Sequence, residues 1–283
     1  MPEVDLSAGT IEYEDTGTPS ADAPTYVFVH GLVMDGTLWR HVVANLRDGA
    51  RCVVPTLPLG GHRRPMRADA DLSLRGQARL IAELLDRLDL HDVTLVFNDF
   101  NCVPLLLQEG LDGRVGRLVL SSCETVDNYP PGLPGKMAGL SAKLPGGVFM
   151  AMQPMRIRPF RRTPIAFGWM SKRAIPDAVM DGWLAPVLGQ KEVRRDLAKY
   201  AGGTKQGLRD LQAADAALGA CRKPVLVAWA AEDRVMPPAA GRRLAASFPD
   251  SRLVEIRDSY TLIPEDQPGV LAQAIRTFVE ETA

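Results

Sequence analysis

The chain has 283 residues, of which 46% are hydrophobic and 24% are charged. These fractions are typical of a soluble globular protein, and they exclude a disordered chain, a collagen-like repeat and a coiled coil. Lys and Arg number 33 against 34 Asp and Glu, with no basic stripe of the kind that nucleic-acid binders carry, so no nucleic-acid partner is expected.

In the first 123 residues, apolar runs alternate with amphipathic stretches. The strongest helix prediction is 72–88, because its apolar residues recur on one helical face. The strand-like runs are continuous rather than alternating, which is typical of a parallel sheet covered by helices on both faces. In chain order we predict a strand at 26–30, a helix at 38–46, strands at 51–56 and 93–97, a helix beginning at 103–108 and a strand at 115–121.

The alternation of predicted strands and helices stops at residues 124–218. They contain clusters of Pro and Gly, helix-like stretches at 177–188 and 191–200, and no convincing strand. The alternation then resumes with strands at 225–229 and 252–256 and helices at 237–248 and 268–281. We therefore predict an α/β core formed by residues 1–123 and 219–283, interrupted by a helical cap at 124–218. Because ligands bind at the carboxyl edge of such sheets, the cap is expected to cover that edge.

The sequence contains no recognisable targeting or membrane segment. The longest apolar run, 225–231, is far shorter than the ~18 residues of a membrane span. The first residues have neither the basic nor the apolar region of a signal peptide. We expect a cytoplasmic protein, monomeric or homodimeric, without a membrane partner. The four cysteines form no C-x-x-C pair and the four histidines show no ligand spacing, so neither a metal nor another cofactor is expected.

Polar residues cluster in loops that follow predicted strands. His30-Gly31-Leu32 follows one strand, Asn98-Asp99-Phe100 follows another, and Glu232-Asp233-Arg234 and Tyr260-Thr261 follow the last two. In order and spacing these segments resemble the α/β-hydrolase superfamily nearly end to end. Asn98-Asp99-Phe100 resembles the nucleophile turn of its aspartate branch, which includes haloalkane dehalogenases and epoxide hydrolases.

The resemblance implies roles for individual residues. It places a nucleophile at Asp99 and the acid of a catalytic triad at Asp233. Backbone N–H groups after His30, with one from the residue after Asp99, would form an oxyanion hole. Halide release is not expected, because apolar side chains replace the halide-binding Asn and Trp of dehalogenases. The residues expected to form the substrate site are His30, Leu32, Val33, Phe100, Tyr260 and Thr261.

The sequence departs from the family pattern at two places. Phe97 and Asn101 replace the two glycines of G-x-Nuc-x-G, although Asn tolerates unusual backbone angles and the turn is expected to survive. Thr261 stands where the family has its histidine, and no histidine follows His91. An ester formed on Asp99 would then stall, because no imidazole activates the water that hydrolyses it.

Other polar residues are assigned more ordinary roles. Glu124 and Asp127 follow a strand where some dehalogenases carry their acid, but a solvated loop is the expectation for both. His62 is the one spare histidine at the same sheet edge and remains a candidate compensating base. The local sequence around Tyr129 and Tyr200 does not support the paired tyrosines of epoxide hydrolases. The cap methionines are expected to pack a core or an adaptable apolar pocket: Met137, Met150, Met152, Met155, Met170 and Met180.

Three hypotheses follow. The first is a cofactor-free α/β-hydrolase-fold enzyme of specialised metabolism that acts on a hydrophobic small molecule. Asp99, between Phe97 and Phe100, would have a raised pKa and would carry non-hydrolytic acid–base chemistry such as isomerisation, elimination, cyclisation or decarboxylation. The second is an aspartate-nucleophile hydrolase with a base from elsewhere, His62 or Glu124. The third is a silent ligand-binding protein.

Overall fold

The computed structural model describes residues 1–282, and their strands form a single sheet of eight in the order β1-β2-β4-β3-β5-β6-β7-β8. β1 pairs antiparallel with β2, and β2 with β4. All other neighbours are parallel. The strands are β1 (Glu3–Leu6), β2 (Gly9–Asp15), β3 (Thr25–Val29), β4 (Arg51–Pro55), β5 (Val93–Asp99), β6 (Val115–Cys123), β7 (Val225–Ala230) and β8 (Ser251–Ile256).

The α/β prediction is therefore confirmed. β5 lies between β3 and β6 and is buried at every position, which explains its continuous apolar sequence. The antiparallel hairpin of β1 and β2 was not predicted, because its half-exposed strands lack a long apolar run. At the carboxyl end of the sheet, β5 and β6 pair with a register shift that sets Asp99 opposite Cys123. This pairing brings the loop after β6 next to Asp99.

Helices cover the sheet. Those of the core are α1 (Arg40–Leu46), α2 (Leu74–Arg87), α3 (Val103–Gln108), α10 (Pro238–Ala246), α11 (Ile263–Asp266) and α12 (Pro268–Glu281). The predicted 72–88 helix begins later, at Leu74, because the Ser73 side chain accepts a hydrogen bond from the Gly76 amide and caps the first turn. The apolar face of α2 is buried, as its periodicity predicts.

Between β6 and β7 the described chain forms helices and no strand. We call residues 124–218 the cap. Its α-helices are α4 (Gly132–Ser141), α5 (Gly147–Met152), α6 (Asp177–Gly189), α7 (Lys191–Gly202), α8 (Thr204–Ala214) and α9 (Ala216–Gly219). The stretch with clusters of Pro and Gly, in which no individual helix was predicted, contains α4 and α5. No helix within residues 1–282 is both long and apolar enough to span a membrane.

Hydrogen bonds join the cap to the core at both of its sides. The Trp183 indole donates to the Thr37 hydroxyl at 2.8 Å, and the Leu262 amide donates to the Met170 carbonyl at 2.7 Å. The amides of Lys172 and Arg173 both donate to the buried carboxyl of Asp266. These contacts hold the cap over the carboxyl edge of the sheet.

Candidate active site

Asp99 ends β5 in a strained turn. Its φ of +65° lies in the left-handed region, which non-glycine residues seldom adopt. The Phe100 amide donates to the Asn98 carbonyl at 2.8 Å, closing the turn. The Asn98 amide group donates to the carbonyls of Ser121 and Thr261, both at 2.8 Å. The turn is therefore held from two neighbouring segments, and the carboxyl of Asp99 lies on the wall of a cavity.

The turn around Asp99 forms with Phe97 and Asn101 at the two positions where the family pattern has glycine. Phe97 is fully buried, and its ring centroid lies 6.2 Å from that of Phe100. The left-handed angle belongs to Asp99 and not to Asn101. Asn101 acts through its side chain, which accepts from the Val103 amide at 2.9 Å and donates to a neighbouring carbonyl at 3.0 Å.

The loop after β3 contacts the Asp99 carboxyl through its backbone. A Cβ on Gly31 would collide with this carboxyl, so only glycine fits there. The Leu32 amide donates to Asp99 Oδ2 at 3.1 Å. His30 orders the loop: its Nε2 accepts from the Leu57 amide and its Nδ1 lies 2.8 Å from the Gly31 carbonyl. One neutral tautomer satisfies both contacts, and burial lowers the pKa of His30 to about 4.

Glu124 is the second carboxyl of the site. It is 3% exposed and lines the same cavity as Asp99, so the expectation of a solvated loop is wrong for this residue. Its amide donates to the Asp99 carbonyl at 2.9 Å, and its Oε2 accepts from the Tyr200 hydroxyl at 3.0 Å. Asp127 is exposed and pairs with Arg243 at 2.7 Å, as a loop residue would.

The two carboxyls titrate far from their ordinary range. Burial raises the pKa of Asp99 to about 7, against the lowering effect of the Leu32 amide. Burial, with the negative charge of Asp99, raises the pKa of Glu124 well above its usual range. Two carboxyls buried in one site disfavour double ionisation, so the pair retains a proton at neutral pH.

Asp233 and Thr261 form a separate unit. Asp233 Oδ1 accepts from the amides of Val235 and Met236 at 2.9 and 2.8 Å and from the Thr261 hydroxyl at 2.8 Å. Burial raises the pKa of Asp233 to about 6. Neither Asp233 nor Thr261 is among the cavity-lining residues. Thr261, which the resemblance places at the position of the family's histidine, bonds Asp233 but is not part of the cavity lining.

The cavity has a volume of about 330 Å³, within the usual range for small-molecule sites. Of the six cap methionines, four line it. Among the described residues, no Lys, Arg or His belongs to its lining. The polar groups that it presents are the carboxyls of Asp99 and Glu124, the phenols of Tyr129 and Tyr200, and the hydroxyls of Ser141 and Thr204.

Several sequence-predicted residues lie elsewhere. His62 is buried and its Nε2 lies 3.3 Å from Asp196 Oδ2, away from the cavity lining. The ring of Tyr260 lies against the cations of Lys172 and Arg234, 5.5 and 5.0 Å from its centroid. Among residues 1–282, no cluster of three or more His, Cys, Asp or Glu side chains is arranged to hold a metal ion.

The expected oxyanion hole is not open. The Leu32 amide donates to Asp99, the Val33 amide to the Leu59 carbonyl at 2.8 Å, and the Phe100 amide to the Asn98 carbonyl. Leu32 and Val33 line the cavity by their side chains, whereas Phe100 is fully buried beneath it with its ring 5.8 Å from that of Tyr200. All three N–H groups thus already have intramolecular acceptors.

The sequence did not lead us to expect Glu124, Tyr129 and Tyr200 in the site. For Glu124 one feature could have indicated it: this residue directly follows a strand adjacent to β5, at the edge where Asp99 lies. The tyrosines gave no local signal, because Tyr129 precedes α4 and Tyr200 lies in α7, and only folding brings them together.

Comparison with known proteins agrees with this architecture. The model of the alpha/beta hydrolase family matches residues 26–274. Haloalkane dehalogenase 2 of Mycobacterium bovis is 27% identical over 96% of this chain and 92% of its own. The cis-3-alkyl-4-alkyloxetan-2-one decarboxylase of Xanthomonas campestris is 25% identical over 95% and 92%. The crystal structure of a haloalkane dehalogenase from Bradyrhizobium elkani has a TM-score of 0.76 at 19% identity, covering 99% and 96% of the two chains.

The chain therefore belongs to the alpha/beta hydrolase family, and it is an enzyme of that family with a dehalogenase-like cap.

Proposed function

We propose that this enzyme converts a hydrophobic small molecule by proton transfer through Asp99 and Glu124, in a reaction that does not consume water. The proposal rests on which residues form the cavity wall. Two carboxyls are present there, and among the described lining residues there is no imidazole. The site residues are thus Asp99, with Glu124 in place of Asp233 as the second acid.

The cavity favours an apolar substrate. Apolar residues (Met, Leu, Pro, Phe, Ala, Val and Ile) form most of its lining, and unbranched methionines adapt to irregular alkyl groups. A substrate carboxylate or phosphate would meet two acids without a compensating cation, which is costly in a buried, largely apolar site. The expected substrate is therefore a neutral molecule with one or more alkyl chains.

The expected chemistry follows from the pKa of Asp99. A carboxyl with a pKa of about 7 is protonated and ionised in similar amounts at neutral pH, which suits a general acid or base. Glu124 is hydrogen-bonded to Tyr200 and retains its proton at higher pH. In the proposed reaction, Asp99 removes a proton from a carbon or oxygen atom of the substrate or delivers a proton to it. Glu124 stays protonated and so keeps the second proton of the pair. Neither step requires a cofactor.

A second candidate is covalent catalysis by Asp99. Leu32 supplies the single hydrogen bond from the described residues to the Asp99 carboxyl, on Oδ2, so that Oδ1 has no bound donor. A carboxylate held by one oxygen can attack the halogen-bearing carbon of a haloalkane with the other, forming a C–O ester bond as the carbon–halogen bond breaks and halide leaves. The resulting ester would persist, because the positions that could activate water hold Thr261 and Glu124 rather than histidine.

The experiment uses a panel of 1-haloalkanes, terminal alkyl epoxides and 3,4-dialkyl-oxetan-2-ones, chosen from the names of the relatives. Ring cleavage of the oxetanone yields an alkene and carbon dioxide without an atom from water. Reactions run in ¹⁸O-water and are followed by product mass spectrometry, and the protein is examined for added mass on Asp99.

Multiple turnovers without ¹⁸O in the product support proton-transfer or decarboxylation chemistry. A stable alkyl adduct on Asp99, absent in Asp99→Asn, supports the covalent candidate. Multiple turnovers with ¹⁸O in an alcohol, diol or hydroxy-acid product would overturn both, since they require efficient activation of water; carbon dioxide is not scored because it exchanges oxygen with water.

A further inference from the structure

The outer surface of the cap is unusually apolar. Of the ten large hydrophobic side chains that are exposed among residues 1–282, seven lie between residues 133 and 157. We call these seven the apolar cap face: Leu133, Met137, Leu140, Leu144, Phe149, Met150 and Ile157. Contiguous exposed apolar groups of this kind mark a surface that binds another apolar surface.

The geometry of α4 concentrates these side chains. Leu133, Met137 and Leu140 are spaced by four and three residues and therefore share one face of the helix. All three are exposed, with Leu140 at 65%. The face continues beyond the helix to Leu144, and Phe149 and Met150 extend it onto α5.

The segment that contains the apolar cap face carries charge of one sign. Residues 128–176 contain eight Lys or Arg and no Asp or Glu. Among them, four form ion pairs with acids outside this segment: Arg158, Arg161, Lys172 and Arg173. Lys136 and Lys143 are exposed beside the apolar cap face and pair with no acid of the described residues. The face is thus apolar at its centre and basic at its edge.

The face is continuous with the mouth of the active-site cavity. Met137, Leu140 and Leu144 are exposed to solvent and also line the cavity. A molecule that leaves an apolar phase at this face would enter the cavity without crossing water.

We propose that the apolar cap face docks peripherally on an anionic lipid bilayer. Exposed apolar side chains rimmed by lysine are the combination that enters a headgroup region and is attracted by anionic lipids. A second copy of the chain fits less well, because two such faces would bring like charges together. Docking needs no membrane-spanning helix, but it departs from the expectation, drawn from the sequence, that the protein has no membrane partner.

The test is flotation of the full-length protein, without substrate, with vesicles of phosphatidylcholine alone or mixed with phosphatidylglycerol. We expect binding to the mixed vesicles that weakens as salt is raised. Lys136→Glu/Lys143→Glu should lower the partition coefficient by about tenfold or more. Its matched control is Arg222→Glu/Arg257→Glu, two exposed basic residues of the core, which should bind as the parent protein does.

The apolar contribution is tested with Leu133→Ser/Met150→Ser, two residues outside the cavity lining, against Leu253→Ser/Val270→Ser on the core. The cap variant should lose binding and the core variant should keep it, with circular dichroism confirming that both fold. Absence of binding to the mixed vesicles, or equal binding by all variants, would overturn the proposal. So would a solution dimer that the cap variant dissociates. Because no turnover is measured, these outcomes are independent of the proposed reaction.

Discussion

Two buried acidic centres lie at the carboxyl edge of the sheet, and they differ in what surrounds them. Asp233 has three hydrogen-bond donors on Oδ1 and is absent from the cavity lining. Asp99 has one donor, adopts a strained backbone angle and lines the cavity beside Glu124. The difference supports the proposal that Asp99 with Glu124 forms the reactive pair and that Asp233 has a structural role.

The largest expected effect is that of Asp99→Asn on turnover. Removing the titrating group should lower the rate on the best substrate of the panel by at least about 10³-fold, while the circular dichroism spectrum stays unchanged. Asp233→Asn is the matched control at the other centre and should keep activity within about tenfold of the parent. If the two variants lose activity equally, Asp233 contributes to turnover as much as Asp99 does, and the proposed distinction between the two acidic centres is wrong.

The same substitution should change how stability depends on pH. Burial raises the pKa of Asp99 from 3.8 to about 7, so the folded state holds a proton that the unfolded state has released between these values. Unfolding then releases a proton, and the free energy of unfolding falls as pH rises through this window. At pH 8, Asp99→Asn should be more stable than the parent by up to about 4 kcal/mol, and at pH 4 nearly equal. Urea titrations at both pH values measure this; a pH-independent difference would contradict it.

Glu124→Gln tests the other member of the pair. Glutamine keeps the shape and the contact with Tyr200 but cannot exchange a proton, so turnover should fall by about 10²-fold. The pH–rate profile of the parent should show two coupled ionisations, and that of the variant a single one. A profile that keeps both limbs in the variant would exclude Glu124 from the titrating pair.

The smallest effect is expected at Thr261. Thr261→Val removes one of three donors to Asp233 Oδ1 and should cost roughly 1–2 kcal/mol of stability. Turnover should change by less than about threefold, because Thr261 is not part of the cavity lining. Thermal unfolding and the panel assay measure the two effects separately. A loss of turnover comparable to that of Asp99→Asn would restore Thr261 to the reactive site.

The amino-acid sequence alone was sufficient to predict the architecture. Buried parallel strands such as β5 are continuous apolar runs, and polar residues lie in the loops that follow them. The local sequence pattern therefore predicts both the strands and the polar loops. The position of Asp99 at the end of a strand and the absence of histidine after His91 are likewise properties of the sequence.

Only the tertiary structure determines which of the polar side chains lie next to one another. Glu124 reads locally as a loop residue, and it becomes a buried acid because β6 pairs beside β5 and α7 supplies Tyr200. His62 reads as a spare base, and it is instead held near Asp196 of the cap. Burial, which sets the pKa of each carboxyl, depends on segments far apart in the chain. For this reason local sequence could name the acids but could not tell which of them form the site.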